Sequence, residues 1–241
     1  MTEAITLYSS EYCPFAQRTV IALQEANADY TKYEVDLINK PAWYAPKVNP
    51  ASKVPAIAYG GPKTDPTEPS PESVKLAESL ILLEFIADLF PNSGLLSSDP
   101  VQRAQTRFVI DVFSNKFMPA YFGFVNRGES PEPLYAALLA LQEHLVHAQP
   151  FLGGDRLNIA DAAIAPFALR LHAQLKNDVG AYAEGQGPKV HAEIFGNPRF
   201  ATFQKYFNTL SERQTVKNSF PEEKYLNVLK QRLNGIRKSA A

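Results

Sequence analysis

The chain has 241 residues and a formal net charge of −1, with 24 lysine and arginine side chains against 25 aspartate and glutamate side chains. Because no basic run stands out from this balance, we exclude a nucleic-acid partner. No stretch of about twenty apolar residues could span a bilayer, and the first residues lack the apolar core of a signal peptide. We therefore expect a cytoplasmic protein without a membrane span.

Strand and helix patterns alternate over the first part of the chain. They predict strands at 5–8, 30–35, 54–58 and 73–77, and helices at 14–26, 42–47 and 80–90. A strand, a helix and a second strand in succession predict a right-handed unit with a parallel strand pair. The last two strands are expected to form a hairpin across a loop at 60–71, because the four prolines and two glycines of this loop exclude regular structure.

Strand signals are missing beyond the breaker residues at 91–94, and only helical patterns follow. These predict helices at 101–127, 133–149, 159–175 and 198–214, and a last helix from 221. We therefore predict two domains, at 1–91 and 99–241, joined by a linker at 92–98, with the second domain entirely α-helical. Asn158 and Asp161 have the spacing of a capping box. The helix that they open is apolar on almost every face, which predicts that it is the buried centre of its domain.

Cys13 is the only cysteine and lies between a predicted strand and a predicted helix that begins at Pro14. Proline suits the first position of a helix, so Cys13 is expected at the N-cap, facing the free N–H groups of Phe15 and Ala16. These groups and the helix dipole favour a thiolate, which predicts a nucleophile with a pKa well below the usual value of about 8.5. The alternative is a small buried hydrophobic side chain, as most free cysteines are.

A single cysteine also limits the available chemistry. It excludes an intramolecular disulfide, a Cys-x-x-Cys pair and a cysteine-based zinc site. A mixed disulfide on Cys13 would have to be released by an external thiol, because Phe15 and Ala16 occupy the positions of a resolving cysteine. His144 and His147 are spaced to share a metal ion, but no carboxylate or cysteine accompanies them in register, so we predict no metal site.

Four separated segments resemble a cytosolic glutathione transferase of the omega class. They are Cys-Pro-Phe-Ala-Gln-Arg-Thr at 13–19, Asn-Lys-Pro-Ala-Trp at 39–43, Asn-Pro at 49–50 through Val-Pro at 54–55, and Glu-Ser at 78–79. The capping box completes an order that covers both predicted domains. The resemblance implies a thioredoxin-like α/β N-terminal domain that binds glutathione, followed by an all-α C-terminal domain with a hydrophobic substrate site.

The resemblance also implies roles for single residues toward glutathione. Cys13 would form the mixed disulfide, and the backbone of Val54, before a cis bond to Pro55, would pair with the cysteinyl part of glutathione. From the residues alone, Pro55 can equally be a proline that starts a strand. Phe15 is a further implied contact.

Three other implied contacts bind the ends of glutathione. Ser79 would offer its hydroxyl, its N–H and a helix N-terminus to the γ-glutamyl carboxylate, while Glu78 would pair with the γ-glutamyl ammonium group. Lys40 would pair with the glycyl carboxylate. The alternatives from the residues alone are a plain N-cap for Ser79 and a solvated side chain for Lys40.

An aromatic stripe follows the first helix of the predicted second domain. Such stripes usually belong to the core, but the resemblance places this helix across the domain cleft from the thiol, so we expect part of the stripe to line an apolar pocket. The candidates for this hydrophobic site are Tyr121, Phe122 and Phe124. Pro119 is expected to kink the helix near Asn115 and to widen the cleft.

The last predicted helix is amphipathic and basic. Its apolar residues recur at helical spacing, at Leu226, Leu229, Leu233 and Ile236, and five basic side chains stand against two acidic ones over 221–241. Contact with a membrane surface is one interpretation. Because the stripe is short and Gly235 interrupts it, we expect the segment to pack across the helical domain, as a lid over the cleft.

Three functions remain open from the sequence. The first is a glutathione-dependent thiol transferase that removes glutathione from mixed disulfides or adducts through Cys13, with glutathione as co-substrate, and that reduces dehydroascorbate. The second is a ligandin-type binding protein for hydrophobic aromatic small molecules in the interdomain cleft, and the third is an interaction module. Cys13 favours the enzyme, because neither a carrier nor a scaffold needs a thiol at a helix N-terminus. A homodimer is expected from the resemblance.

Overall fold

The computed structural model describes residues 3–239, with side chains as far as Arg232. Its first part contains β1 (Ile5–Ser9), α1 (Pro14–Glu25), β2 (Thr31–Glu34), α2 (Tyr44–Lys47), β3 (Ala56–Tyr59), β4 (Val74–Ala77) and α3 (Ser79–Leu89). Its second part contains α4 (Pro100–Val112), α5 (Met118–Arg127), α6 (Glu132–Leu145), α7 (Ile159–Lys176), α8 (Gln186–Gly196), α9 (Ala201–Glu212), α10 (Gln214–Lys217) and α11 (Glu222–Ser239).

The four strands form one mixed sheet in the order β2, β1, β3, β4. β1 is parallel to β2 and antiparallel to β3, and β4 pairs with β3 as an antiparallel edge strand, which confirms the predicted parallel pair and hairpin. Successive strand residues point to opposite faces. Leu7 is buried with Ile21 of α1 and Leu83 of α3, while Tyr8 belongs to a separate cluster with Tyr44. The chain therefore combines a thioredoxin-like sheet domain with a helical domain.

α7 is the centre of the helical domain, and every residue from 159 to 168 is buried. Asn158 Oδ1 accepts hydrogen bonds from the N–H groups of Ala160 at 2.9 Å and Asp161 at 3.1 Å, and Asp161 Oδ2 accepts one from the Asn158 N–H at 2.9 Å. These contacts confirm the capping box and the buried central helix. Burial raises the pKa of Asp161 to about 6, although hydrogen bonds from the Asn158 N–H and the Tyr206 hydroxyl act in the opposite direction.

A π-helical turn at 113–117 separates α4 from α5. Pro119 has no N–H to donate to the carbonyl of Asn115, and its ring would clash there, so the helix widens by one residue in this turn. A π-helical turn therefore lies where the sequence predicts a kink, and the widening of the cleft stays a prediction. The rings of Phe113 and Phe117 stack within this turn, with centroids 4.9 Å apart, and both are buried.

α8 and α10 have no counterpart among the sequence predictions. The side chain of Asp178 caps the start of α8, because its Oδ2 accepts from the Gly185 N–H at 2.8 Å and its Oδ1 from the Gly187 N–H at 3.0 Å. Since this cap comes from well upstream, no local motif marks the helix start. Several predicted ends also shift; the largest differences include β3, which begins at Ala56 after Pro55, and α6, which ends at Leu145.

Side chains of α1 connect the sheet to the helices. Arg18 Nε donates to the carbonyl oxygen of Ala163 on α7 at 3.0 Å. At the end of α1, Glu25 accepts from Arg213 Nε at 2.8 Å, from Arg213 Nη2 at 2.6 Å and from the hydroxyl of Thr215. The Glu25 side chain is only 5% exposed, whereas the Arg213 side chain is 41% exposed, so only the carboxylate is shielded from water. α1 therefore packs as part of both domains.

α11 packs across α7, as expected from its apolar stripe. Leu226 is buried against Ala173 and Val179, and Leu229 packs on the same cluster. Leu233 and Ile236 lie outside the residues whose side chains are described. Within 3–239, no helix combines the length and the apolar character needed to cross a membrane.

Candidate active site

Cys13 ends the turn between β1 and α1. Its N–H donates to the carbonyl oxygen of Ser10 at 3.0 Å, and its backbone is extended, with φ −88° and ψ 117°. Pro14 is the first residue of α1, so Cys13 is the N-cap, as predicted. The side chain is partly buried, and its Sγ lies 3.8 Å from the carbonyl oxygen of Val54.

Opposing influences act on the pKa of the Cys13 thiol. Burial is the largest and raises it, while the N–H groups of Ala16 and Phe15 and the positive charges of Arg170 and Arg18 lower it. The net pKa lies above the ordinary value, so the low pKa predicted from the sequence is wrong. The N–H groups of the helix N-terminus lower the pKa as expected, but the loss of hydration of the buried sulfur raises it by more.

Arg18 and Arg170 place two buried guanidinium groups near the thiol, and their side chains belong to residues only 2% and 1% exposed. Arg170 Nη1 donates to the carbonyl oxygen of Pro166 at 2.9 Å and to the side-chain oxygen of Gln17. Within the described chain, neither guanidinium forms an ion pair with a carboxylate. Burial lowers the pKa of both, that of Arg18 to about 10.

Neither arginine was among the predicted site residues, although the sequence carries a signal for each. Arg18 belongs to the segment that begins at Cys13, and Arg170 is a charged residue in the middle of a largely apolar helix. A buried charge without a partner is costly, which makes such a residue a candidate for a functional role.

The turn before β3 faces the thiol. The bond between Val54 and Pro55 is cis, as the resemblance implied, and both residues are buried. Lys40 is exposed, and its Nζ donates to the carbonyl oxygen of Ser52 at 2.6 Å. The structure therefore brings Lys40 and Val54 to the same turn.

Glu78 and Ser79 lead from β4 into α3. Glu78 is the exposed N-cap of this helix, with a left-handed φ of 71°, and Ser79 is the first helical residue. The alternative reading of Ser79 as the N-cap is therefore wrong. Ser79 Oγ accepts a hydrogen bond from Arg18 Nη1 at 3.1 Å, which connects the start of α3 to α1. Phe15 is partly buried, and its ring lies 5.3 Å from the Arg18 guanidinium.

The structure corrects two of the three aromatic candidates. Phe124 is completely buried and stacks on Tyr182, with centroids 4.6 Å apart. Tyr121 is 3% exposed, and its hydroxyl donates to Gln174 Oε1 at 2.5 Å. Both rings belong to the core, because this face of α5 packs against neighbouring helices and not against an open cleft. Phe122 is only partly buried and is the one candidate of the three that keeps accessible surface.

The segment at 219–225, which leads into α11, packs over the Arg170 side of the site. The rings of Phe220 and Tyr225 lie 4.8 Å and 4.9 Å from the Arg170 guanidinium. Burial, with a smaller contribution from the neighbouring Tyr225, raises the pKa of Tyr121. Gln17 Nε2 donates to the hydroxyl of Ser219 at 3.0 Å. These contacts agree with the expected lid over the cleft.

Within the described residues, no three His, Cys, Asp or Glu side chains are close enough to hold a metal ion. His144 contacts the ring of Phe108 at 5.3 Å between centroids, and His147 is exposed.

Comparison with known proteins places these features in a family. A family model described as "Glutathione S-transferase, N-terminal domain" matches residues 7–94. The chain is 32% identical to pyrimidodiazepine synthase of Drosophila melanogaster over 168 residues, which are 69% of this chain and 65%, just under two thirds, of that relative.

Two solved structures from Trametes versicolor are similar over nearly the whole chain. Glutathione transferase Omega 1C is 53% identical, with a TM-score of 0.92 over 95% of this chain and 96% of that one. Glutathione transferase Omega 2S in complex with 2,4-dihydroxybenzophenone is 40% identical, with a TM-score of 0.89 over 96% of this chain and 100% of that one.

Proposed function

Since this chain belongs to the omega class of the glutathione transferase family, we propose that it is a glutathione-dependent thiol transferase in which Cys13 carries glutathione as a mixed disulfide. It is an enzyme of that family; the thiol mechanism and the residues assigned to it are our proposal. The observation that supports it is the single thiol at the N-cap of α1, 3.8 Å from the Val54 carbonyl oxygen and within the electrostatic influence of two buried guanidinium groups.

The proposed cycle has two exchange steps. The Cys13 thiolate attacks the glutathionyl sulfur of a mixed disulfide, the sulfur–sulfur bond breaks, and the substrate leaves as a thiolate that takes up a proton. The thiolate of a second glutathione then attacks the glutathionyl sulfur bound to Cys13. This step releases glutathione disulfide and restores the Cys13 thiolate. The substrate is reduced, two glutathione units are joined, and no resolving cysteine is needed. Dehydroascorbate is a further proposed electron acceptor.

The raised pKa of Cys13 determines when this cycle can start. Only the thiolate attacks, so the proton must leave the thiol before the first bond forms. The charges of Arg170 and Arg18 and the N–H groups of α1 stabilise the thiolate once it exists. We therefore propose that Arg170 and Arg18 position and stabilise the thiolate without contacting the leaving group.

Glutathione itself is proposed to lie across the N-terminal ends of α1 and α3. The γ-glutamyl carboxylate would accept hydrogen bonds from Ser79, whose hydroxyl is supported by Arg18. The exposed carboxylate of Glu78 would pair with the γ-glutamyl ammonium group. Val54 would pair through its backbone with the cysteinyl part, next to Pro55.

Two further contacts complete the proposed glutathione site. Lys40 would exchange its bond to the Ser52 carbonyl for the glycyl carboxylate, a stronger charged acceptor. Phe15 would pack against the glutathione backbone beside Cys13.

The decisive variant is Cys13→Ser. We expect it to lose removal of glutathione from mixed disulfides, because a hydroxyl cannot form the mixed disulfide, while its affinity for glutathione stays near that of the wild type. Intact-mass measurement after incubation with oxidised glutathione should show one glutathionyl group on the wild type and none on the variant. Full transfer activity in the variant would contradict the mechanism. Conjugating activity is expected to be retained or to rise, since a serine hydroxyl can donate to a glutathione thiolate.

A second role as a carrier of aromatic molecules is favoured by the benzophenone complex of the Trametes versicolor relative. In this chain the proposed contacts are Phe122 and the aromatic rings over Arg170, because Tyr121 and Phe124 are buried. Binding of polyphenol-sized aromatics that weakens in Phe122→Ala would support this role. We further propose a cytoplasmic homodimer, for which Val74 and Ile81, 57% and 61% exposed, provide apolar surface.

A further inference from the structure

Gln17 is a buried polar residue that lies one turn into α1 from Cys13. Its N–H donates to the carbonyl oxygen of Cys13 at 3.0 Å, and the residue is only 3% exposed. Arg170 Nη1 of α7 donates to the side-chain oxygen of Gln17, and Gln17 Nε2 donates to the Ser219 hydroxyl at 3.0 Å. The Gln17 amide therefore connects the arginine near the thiol to the segment at 219–225.

The hydrogen-bonding partners fix the orientation of this amide. A guanidinium group only donates, so the Gln17 oxygen must face Arg170. The amide nitrogen then needs an acceptor, and the Ser219 hydroxyl provides it while donating its own proton to the carbonyl oxygen of Val216 at 2.8 Å. Both ends of the buried amide are therefore paired, and the flipped orientation would place N–H groups against N–H groups.

We propose that Gln17 is a positioning residue that holds the Arg170 guanidinium near Cys13 without neutralising it. This inference rests on the proposed function, because it concerns the same thiolate. The acceptors of the guanidinium are uncharged: the Gln17 amide oxygen, the Pro166 carbonyl oxygen at 2.9 Å and the Tyr12 carbonyl oxygen at 3.4 Å. Among the described residues, the buried Arg170 Nε has no hydrogen-bond partner. These neutral contacts leave the positive charge available to the sulfur.

The neutrality of the side chain at position 17 is the feature that matters. A glutamate there would have nearly the same size, but it would form a buried ion pair with Arg170. Its own negative charge would also lie one turn from Cys13. Both effects would disfavour the thiolate. The glutamine supplies an acceptor of the same geometry without adding a negative charge.

The groups that act on the Cys13 thiol come from three helices. Arg170 of α7 and Arg18 of α1 lower its pKa. Tyr44 of α2 also interacts with the thiol but stays neutral, because burial raises the pKa of the Tyr44 hydroxyl. The polar hollow beside Gln17 is lined by side chains of opposite sign, Glu11 and Lys32. A change of charge at position 17 should therefore act on the thiol mainly through Arg170.

The test measures the pH dependence of Cys13 alkylation by iodoacetamide in the full-length protein. In Gln17→Glu we expect the midpoint to rise by about one pH unit, which makes alkylation about tenfold slower at a fixed pH below the midpoint. Gln17→Met keeps the size but removes both hydrogen bonds, so Arg170 is held less firmly and alkylation should slow about threefold. Gln24→Glu makes the same chemical change at an exposed residue two turns further along α1 and should match the wild type.

A double variant tests whether position 17 acts through the guanidinium. In an Arg170→Met background, Gln17→Glu should shift the midpoint much less, because a buried carboxyl without a cationic partner stays protonated. A shift of the same size in both backgrounds would overturn the proposal. Unchanged alkylation in Gln17→Met would also overturn it, and this variant decides the matter alone if Gln17→Glu fails to fold.

These measurements do not depend on thiol transfer. Full transfer activity in Cys13→Ser would contradict the proposed function but would leave an effect of Gln17 on the Cys13 thiol in place. An unchanged pH profile in the Gln17 variants, together with loss of transfer in Cys13→Ser, would contradict only the positioning role.

Discussion

Burial and neighbouring positive charges shift the pKa of the Cys13 thiol in opposite directions. The sulfur lies under the Val54 carbonyl and loses hydration, which raises its pKa, while Arg170 and Arg18 lower it from a distance. Such a thiol stays protonated until a change in its surroundings favours the charge. The reactivity of Cys13 is therefore controlled by its neighbours more than by its place at a helix end.

We expect alkylation of Cys13 by iodoacetamide to accelerate with pH up to and beyond about 8.5, the ordinary pKa of a thiol. Arg170→Met should react several-fold more slowly at a fixed pH, because removal of the positive charge raises the thiol pKa further. Arg170→Lys keeps the charge and is the matched control. Equal rates in the two variants would show that this charge does not influence the sulfur.

Single residues show which parts of the site the sequence can predict. Cys13 was placed correctly because an N-cap followed by Pro14 is a local pattern. Its pKa was not, because the cover over the sulfur comes from Val54, far along the chain. Tyr121 and Phe124 belong to the aromatic stripe and Phe122 lies near it on the same helix, but which rings stay accessible depends on how α5 packs against other helices. The glutathione contacts drawn from the resemblance stay predictions.

Among the helices, the start of α11 packs over the part of α7 that carries Arg170. Tyr225 and Phe220 shield the face of the Arg170 guanidinium. An aromatic second substrate that approaches Arg170 must displace these rings.

Tyr225→Ala should therefore uncover the site. We expect bulky aromatic maleimides to modify Cys13 several-fold faster in this variant, while the rate with the small reagent iodoacetamide changes less. Lys224→Ala alters the neighbouring exposed residue and should behave as the wild type does. A uniform increase for large and small reagents would point to general loosening of α11 and contradict a cover over the second-substrate site.

The same scale shows how helices were predicted or missed. α7 was predicted with its cap, because Asn158 and Asp161 stand within one turn of each other and the apolar pattern continues for four turns. α8 was missed because its start is capped by Asp178, which lies seven residues before the N-cap Gly185. Capping motifs within one turn can be recognised in the sequence, and a cap supplied from further along the chain cannot.

For the whole molecule, stability depends on pH through a histidine pair between α7 and α8. His172 stacks on Phe207 at 4.9 Å and meets His191 at 4.9 Å between centroids. Burial lowers the pKa of both rings, that of His172 to about 4, and the nearby Lys176 acts in the same direction. The unfolded chain, with histidine pKa values of about 6.5, binds more protons than the folded chain below that pH.

Stability supplied by this pair is therefore complete above about pH 6.5 and is lost as the pH falls toward about 4. His172→Phe keeps the stacking and removes the titration. We expect the difference in unfolding free energy between the variant and the wild type to change by about 1 kcal/mol in favour of the variant as the pH falls from about 7.5 to about 5. The effect is smaller than the full pKa shift would give, because the His172 ring is partly exposed. Urea titrations of both proteins, with His147→Gln as a control, measure this; parallel pH profiles would contradict it.

The ion pair of Glu25 with Arg213 affects how the two domains unfold. The carboxylate ends a helix of the sheet domain, and its partners Arg213 and Thr215 come from the far end of the helical domain. Unfolding of either domain would break this ion pair and the Thr215 hydrogen bond, so the other domain would lose those contacts. We therefore expect the two domains to unfold cooperatively, in one calorimetric transition on heating. A destabilising change in either domain should lower the stability of both.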